Sequence, residues 1–565
     1  MPLLLALALA ACMREPPKEA GVDTALGTDP LPGELGSARV GYLYVKPSDL
    51  DDPEFPREGQ IRRLTHVVLA YWRVEDGALV NDLDDAKLRA LVQRVRDQAN
   101  ASGVKMLASI GGYYWGTPTS PHFCELVEVA EDPSARVAFA ATAAATLDGF
   151  CDNAGAPCFD GVDVDVEFVG QSAGDDGACV DEGGTVAITP DFRRAEAFRD
   201  LVTALRPRFD VLTFAAPGDL FAMRYAWPVL SDIAGTVDLV NVMAYDYAGF
   251  WTQQYQTYDT TAPDCGADTK QCWTCDTNLP EAVTDHAAPL HASAGAPGYY
   301  NFLCDPGQAL EDEAVCDPFG SAALDWESPA ADAVCVNPYV LAADRAVAAY
   351  VHGLGVDPKK IVLGTTFFAR AFRNVGTWGR AANEGRQPFG LRDFYGGICV
   401  NDAGCWGDGD IPVGSCETPD GVVACDGGDQ YNWLTDFAYD DDPQPDPRAA
   451  TWDQVVRVCP EVADLDDLAT LATGTGKGCA TPGWTAHYDE VAEAAWLYHA
   501  ADGLFVTFDS PRSMRAKARF VLDQGLGGMM MWHIGHDDPG DTLLETVHGE
   551  LGLAVSRRRT LTCEG

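Results

Sequence analysis

The sequence is poor in basic residues, and this excludes one large class of partners. It has 39 Lys and Arg against 85 Asp and Glu, which gives a formal net charge of −46 at pH 7. A nucleic-acid backbone is bound by basic side chains that displace its counterions, so we expect no nucleic-acid partner. The acidic surplus suits a soluble protein with an uncharged ligand, and it also favours colloidal stability.

Apolar runs long enough to cross a bilayer, which takes about 20 residues, are absent beyond the first dozen residues. Residues 1–12 resemble an export signal that ends in a bacterial lipobox, Leu9-Ala10-Ala11-Cys12, although the usual basic start is missing. Lipidation of Cys12 is predicted, with plain secretion as the alternative. Residues 13–37 would be a flexible tether. The chain would then be extracytoplasmic or at the cell surface of a bacterium, and would contact the membrane only through the lipid.

Cysteines, in contrast, are numerous. The chain has 18, and all but Cys12 and Cys563 lie between Cys124 and Cys479. This favours disulfides in an oxidising compartment, and their pairing cannot be read from the sequence. Cys272-Trp-Thr-Cys275 has the spacing of half a zinc site or of a redox motif, but no second pair or His cluster completes a metal set. No metal is expected.

Short apolar β-rich runs alternate with helical patterns, which predicts parallel βα units. Eight strands are predicted, at residues 39–45, 65–71, 104–110, 159–167, 210–216, 237–245, 360–367 and 528–532. One predicted helix has Thr189 as its N-cap, and another begins at Ser510-Pro511 and ends at Gly525. Eight such units predict an α/β fold, the (β/α)8 TIM barrel.

The barrel is assigned to residues 38–555, about twice the ~250 residues that such a fold needs. The excess is concentrated in a Cys-rich insertion after strand six, at about 250–332, and an α+β insertion domain after strand seven, at 374–503. Both follow the carboxyl end of a strand, the side on which barrel active sites are built. We therefore expect them to wall a substrate groove.

Three carboxylates, Asp163, Asp165 and Glu167, alternate with valines in the fourth predicted strand. The period of two puts the acids on one face of the strand and the valines on the other, so the acids would point into the barrel. Buried like charges share protons, which raises at least one pKa. A Glu that stays protonated near neutral pH can act as a general acid. A calcium site is the alternative, but strand alternation does not form a looped set of ligands.

The same run resembles a known family. Asp160-Gly-Val-Asp163-Val-Asp165-Val-Glu167 matches the DGxDxDxE signature of glycoside hydrolase family 18, the chitinases and their relatives. Three more segments follow in the family's order: Ser109-Ile-Gly111-Gly112 matches SxGG, Met243-Ala-Tyr245-Asp246 matches MxYD, and Gly527-Gly-Met-Met-Met-Trp532 matches GGxMxW. The resemblance covers about residues 40–538.

The resemblance implies retaining hydrolysis of β-1,4-linked N-acetylglucosamine, with the 2-acetamido oxygen of the substrate as nucleophile and no cofactor. Glu167 would protonate the leaving oxygen and later activate water. Asp165 would orient the acetamide, Asp163 would tune Asp165, and Tyr245 would donate to the acetamide oxygen. The remaining residues that the resemblance places at the substrate are Asp246, Met243, Trp532, Arg370, Gly111 and Gly112.

Four aromatic residues at strand ends are predicted to form a stacking track for sugar rings: Tyr42, Trp72, Trp115 and Trp251. The leading hypothesis is a monomeric chitinase that acts on chitin or chitooligosaccharides. The first alternative is an endo-β-N-acetylglucosaminidase that acts on peptidoglycan or N-glycans. A chitin-binding lectin is the second, although such relatives usually lose the Glu that is present here as Glu167. A metal-dependent deacetylase would need more ligands than the neighbouring His533 and His536.

Overall fold

The computed structural model describes the barrel and part of the insertions. The described residues are 38–57, 59–83, 85–112, 123–167, 169–173, 188–190, 192–247, 257–258, 273–274, 286–291, 342–372, 415–418, 421–424, 449–467, 476–501 and 504–561. The predicted signal, Cys12 and the tether lie outside these residues, as do Trp115, Trp251 and the Cys272–Cys275 pair.

Eight parallel strands close into a barrel, which confirms the predicted fold. In chain order they are β1 (Ala38–Tyr44), β2 (His66–Glu75), β3 (Lys105–Gly111), β4 (Gly161–Asp165), β5 (Val211–Pro217), β6 (Leu239–Met243), β7 (Ile361–Thr366) and β8 (Gly528–Trp532). Each strand pairs with the next, and β8 closes the ring on β1, with Met530 opposite Val40. β4 ends at Asp165, so Glu167 lies just beyond the strand, on a turn.

Helices cover the outside of the barrel. Within the described residues they are α1 (Asp85–Ser102), α2 (Phe123–Glu131), α3 (Pro133–Asp148), α4 (Phe192–Leu205), α5 (Leu220–Thr236), α6 (Ala343–Ala348), α8 (Pro511–Gln524) and α9 (Thr542–Leu561), while α7 (Trp452–Val458) packs beside the strands Ala449–Thr451 and Phe368–Phe372. The predicted ends of α8 are confirmed, because Ser510 accepts from the Ser513 amide and Gly525 is left-handed at φ 68°. Among the described residues, short 3-10 turns are Pro47–Leu50, Ile61–Arg63, Arg206–Arg208, Pro358–Lys360, Pro460–Asp467 and Ile534–His536, and Ala349–Gly353 is a π turn.

The predicted start of α4 is wrong. Thr189 pairs with Ser172 in a short hairpin of Gln171–Ala173 with Ile188–Pro190, and the helix begins only at Phe192. Thr189 and Pro190 are equally typical of a helix start. Pairing with a segment about twenty residues upstream therefore overrides the local signal.

Two apolar layers result from the strand alternation. Val162, Val164 and Val166 belong to the layer between barrel and helices, while a smaller cluster fills the barrel interior: Ala38, Val40, Tyr42, Val68, Leu107, Val362 and Met530. Burying a valine stabilises the fold by roughly 1.5 kcal/mol or more. The acids on the opposite face of β4 have no such benefit, because their burial costs free energy.

The chain between β7 and α8 builds an antiparallel sheet, here called the lobe sheet. Its strands, in spatial order, are Ala449–Thr451, Phe368–Phe372, Leu504–Phe508, Ala494–His499, Trp484–Asp489 and Lys477–Gly478. The bounds predicted for the insertion domain, 374–503, stay a prediction. Other short strands are Ala78–Val80 beside β2 and the hairpins Thr257–Tyr258 with Trp273–Thr274 and Ser415–Thr418 with Gly421–Ala424.

A buried ion pair joins the lobe sheet to the barrel. Lys517 Nζ lies 2.6 Å from Asp509 Oδ2, and the two side chains are 0% and 1% exposed. Asp509 follows the strand Leu504–Phe508, and it also accepts from the amide of Thr366 at 3.1 Å, at the end of β7. One carboxylate thus holds the lobe sheet, α8 and β7 together.

Five cysteines among the described residues are in disulfide bonds. Cys151 bonds to Cys158 and Cys459 to Cys479, and Cys124 is also disulfide-bonded. Glu461 lies beside the second pair, but sulfurs joined in a disulfide offer no thiolate to a metal. Within the described parts of the chain, no helix has the length and apolarity needed to cross a membrane.

Candidate active site

Asp163 lies at the bottom of the carboxylate row, inside the barrel, and four side chains donate to it. Its Oδ2 accepts from Tyr42 Oη and Ser109 Oγ, both at 2.9 Å. Its Oδ1 accepts from Thr213 Oγ1 at 2.5 Å and Asn241 Nδ2 at 3.3 Å. Burial raises the pKa of Asp163, and these hydrogen bonds oppose that rise. Because donors favour the charged form, Asp163 is the member of the row best suited to carry the negative charge.

Asp165, one step up the row, is much less satisfied. It is 2% exposed, and its Oδ1 has no hydrogen-bond partner among the described residues. Burial and the charges of Glu167 and Asp163 raise its pKa well above the usual range, while a hydrogen bond from Tyr71 lowers it. A buried carboxylate oxygen without a partner costs free energy, so this atom is poised for a donor that the protein itself does not supply.

Glu167 is at the barrel mouth, where it is partly exposed on the turn after β4. Desolvation, together with the nearby charge of Asp246, raises its pKa to about 8. The carboxyl group therefore holds its proton at neutral pH, as a general acid must. The sequence predicted a raised pKa within this row, and the pKa values of Asp163, Asp165 and Glu167 are all raised.

Tyr245 and Asp246 follow β6 at the same mouth. The Tyr245 ring packs beside Phe368 at a centroid distance of 6.0 Å, and its pKa is raised by burial and by the charges of Asp165 and Glu167. Asp246 has a left-handed backbone, φ 59°. Its carboxylate accepts two hydrogen bonds from Arg370, from Nε at 2.8 Å and from Nη2 at 2.9 Å. This bidentate pair fixes the charge that acts on Glu167.

Trp532 forms an aromatic floor at the end of β8. Its ring stacks on Tyr71 at 5.6 Å with an interplanar angle of 26°, and Tyr42 lies 5.4 Å away at a steeper tilt. Met243 and Tyr245 pack with Trp532 against the inner cluster. Trp532 and Met243 are partly exposed, so both keep surface at the mouth, and their role in binding substrate stays a prediction.

Two glycines let β3 approach this floor. Gly111 and Gly112 have φ of 102° and 82°, a region that L side chains rarely adopt. The Gly112 amide donates to the backbone oxygen of Asp165 at 2.7 Å. A Cβ on Gly112 would come within 2.2 Å of the Tyr71 ring. At the site, the backbone of these glycines therefore packs against Asp165 and Tyr71. Direct contact with the substrate stays a prediction.

Two members of the predicted stacking track do not face the groove. Trp72 is 2% exposed and packs in the outer core against Phe150 and Phe159, so its predicted role is wrong. The physical reason is an irregular register in β2 between Leu69 and Trp72, which turns Trp72 outward and Tyr71 inward.

Tyr42 is also buried, at 1% exposed, and its hydroxyl donates to Asp163 beneath the aromatic floor. Its predicted role as a sugar-stacking residue is therefore wrong. The sequence interpretation also missed Tyr71, Thr213 and Asn241. The last two carry a usable signal, since each is a single polar residue inside an otherwise apolar buried strand.

The arrangement defines a class of protein. A protonated carboxyl at the mouth of a barrel, above a buried carboxylate with a free acceptor oxygen and beside an aromatic floor, is the apparatus of a glycoside hydrolase. The family model of the glycosyl hydrolases family 18 matches residues 40–306 and 322–537. The chain belongs to that family.

Known relatives agree with this assignment. Chitinase B of Serratia marcescens is 24% identical over 528 residues, which are 90% of this chain and 82% of that protein. The Ostrinia furnacalis Group IV chitinase, solved with allosamidin, aligns over 91% of this chain and 98% of its own with a TM-score of 0.53 and 18% identity.

A further structural neighbour shows that the fold alone does not decide activity. Human YKL-39, described as a pseudo-chitinase with retained chitooligosaccharide binding properties, aligns with a TM-score of 0.52 and 14% identity, over 91% of this chain and 99% of its own. At such low identities the structural similarity establishes only the fold. The reaction has to be inferred from the carboxylates of the site.

Proposed function

We propose that this protein hydrolyses β-1,4-N-acetylglucosamine linkages of chitin or chitooligosaccharides with retention, using the substrate's 2-acetamido group as the nucleophile. The observation that carries the proposal is the buried Oδ1 of Asp165, which has no partner among the described residues. An acetamide N–H supplies the missing donor. The names of the relatives, chitinases in Serratia and Ostrinia, favour chitin as the polymer.

The first half of the reaction needs an acid and a positioned acetamide. Glu167 gives its proton to the glycosidic oxygen as the C1–O bond breaks, while the acetamide carbonyl oxygen attacks C1. Asp165 accepts from the acetamide N–H, and its negative charge stabilises the oxazolinium cation. Tyr245, at the same mouth, would donate to the acetamide oxygen. Trp532 would pack under the apolar face of the distorted sugar.

The second half reverses the proton transfer. Glu167, now a carboxylate, takes a proton from a water molecule that attacks C1, and the oxazolinium ring opens to restore the acetamide. Attack first by the acetamide and then by water inverts C1 twice, so the product retains its configuration. Asp163, held by its four donors, would keep Asp165 in place as charge develops above it. No metal or cofactor takes part.

The alternative substrates are peptidoglycan and the chitobiose core of N-glycans, which contain the same acetamido group. The test is to incubate the wild-type enzyme with chitin, reducing-end-labelled chitooligosaccharides and peptidoglycan, and to identify the products by mass spectrometry. We expect soluble chitooligosaccharides from the first two substrates and little release from the third. Release from peptidoglycan alone would refute chitin as substrate while leaving the mechanism intact.

We also propose an extracytoplasmic location with a lipid on Cys12, which the sequence of residues 1–37 alone supports. Expression with a labelled fatty acid should transfer the label to the wild-type protein, and Cys12→Ala should remove it. An unlabelled wild-type protein in the culture medium would instead indicate plain secretion.

A further inference from the structure

The ring of Tyr71 packs against the aromatic floor, beside the carboxylate row. It stacks on Trp532 at 5.6 Å. Across β3, a Cβ on Gly112 would meet Tyr71 Cε1 at 2.2 Å and Cζ at 2.3 Å. Cζ carries the hydroxyl, so the polar end of the ring lies over Gly112, and only glycine leaves room for it.

The same glycine leads to Asp165. The amide of Gly112 donates to the Asp165 backbone oxygen at 2.7 Å, and Gly111 is the register partner of Asp165 in the β3–β4 pairing. The tyrosine hydroxyl, directed over Gly112, is near enough to the carboxylate of Asp165 on β4 to lower its pKa as a hydrogen-bond donor. Asp165 Oδ1 still has no partner in the described structure, so the two carboxylate oxygens have different environments.

We propose that Tyr71 is a positioning residue that acts through Asp165, holding one carboxylate oxygen so that the other faces the acetamide of the substrate. The inference rests on the proposed function, because it assigns a purpose to the open oxygen. The irregular register of β2 makes this arrangement possible, because it brings Tyr71, and not Trp72, to the inner face of the barrel. Asp163 has four side-chain donors, whereas among the described residues only the Tyr71 hydroxyl lowers the pKa of Asp165.

The charge environment makes this hydroxyl matter. The titratable groups that face Asp165 come from four elements: Asp163 and Glu167 from its own segment, Tyr42 from β1, Tyr71 from β2, and Tyr245 after β6. Burial, and after it the charges of Glu167 and Asp163, disfavour the ionised form of Asp165, and the Tyr71 hydroxyl opposes them by lowering the pKa. Without it the pKa of Asp165 rises, and the anion that must bind the acetamide forms only at higher pH.

Tyr71→Phe tests the proposal, because it removes the hydroxyl and keeps the ring on Trp532 and Gly112. With an aryl chitobioside as substrate, we expect kcat to fall roughly tenfold, with little change in KM. The acidic limb of the kcat/KM profile should move to higher pH by about one unit, and the basic limb should move less. A merely structural role would lower the rate by the same factor at every pH.

Tyr350→Phe is the matched control. It removes an equally buried hydroxyl, which donates to the backbone oxygen of Pro217 at 3.1 Å, and its pH profile should superimpose on that of the wild type. A double-mutant cycle gives a second readout: in an Asp165→Asn background, Tyr71→Phe should have almost no further effect on kcat. An equal loss in both backgrounds, or an unshifted acidic limb, would overturn the inference. Inactivity of the wild type itself would instead refute the proposed function.

Discussion

Glu167→Gln is expected to reduce kcat on chitooligosaccharides by about 10³-fold or more, with KM little changed, which can be measured by steady-state kinetics. General acid catalysis contributes about 10² to 10⁴ in rate, and the leaving sugar oxygen is too basic to depart without a proton. Glutamine keeps the size of the side chain at the turn after β4 and has no acidic proton to give. Steric disturbance of the mouth is therefore minimal.

The pH dependence of the wild type provides a second check on the same residue. Glu167 has a pKa of about 8, raised by desolvation and by Asp246, and only the protonated form is an acid. Activity should therefore fall as the pH rises through about 8. The residual activity of Glu167→Gln should not show this fall at alkaline pH.

The matched control is Glu128→Gln, which changes an exposed acid on α2 and should leave both kcat and the pH profile as they are. A substrate with a nitrophenolate leaving group needs less protonation, so it should recover part of the first step in Glu167→Gln. If the variant kept more than about a tenth of wild-type activity on natural oligosaccharides, the assignment of the acid would be wrong.

Asp165→Asn is expected to lower kcat by roughly 10² to 10³, the size of effect seen when one preorganised electrostatic contact is removed from a transition state. The substitution removes the negative charge opposite the oxazolinium cation. It can also turn an N–H towards the acetamide N–H. Single-turnover kinetics on an aryl chitobioside would show the loss in the step that forms the intermediate.

Asp160→Asn is the natural control for that variant, because it lies in the same motif and serves another purpose. Asp160 precedes β4 at the opposite end of the barrel, where it accepts from Arg96 at 2.7 Å, Lys105 at 2.9 Å and the Met106 amide at 2.9 Å. Asn should lower the thermal midpoint and leave kcat close to normal. A loss below tenfold for Asp165→Asn would contradict its role in stabilising the cation.

The barrel and the carboxylate row could be predicted from the sequence because both depend on regular alternation. Valines on one face of β4 require a layer of helices, and the acids opposite them must then point inward. Glu167, two residues beyond Asp165, lies at the mouth by the same alternation, even though the strand itself ends at Asp165.

The aromatic residues could not be assigned in this way. At a strand end, Trp and Tyr suit a groove or a core equally well, and the deciding factor in β2 is a single irregular register step that no local pattern reveals. One step exchanges the faces of Tyr71 and Trp72. The start of α4 failed for a related reason, since a non-local hairpin took the residues that would have capped it.

The buried pair of Lys517 and Asp509 has a consequence for how the protein unfolds. Separating the lobe sheet from α8 would leave one of two fully desolvated charges alone, at a cost of about 3 to 5 kcal/mol. Partial opening at this junction is therefore disfavoured relative to loss of the whole structure. The lobe sheet and α8 should therefore behave as one cooperative folding unit.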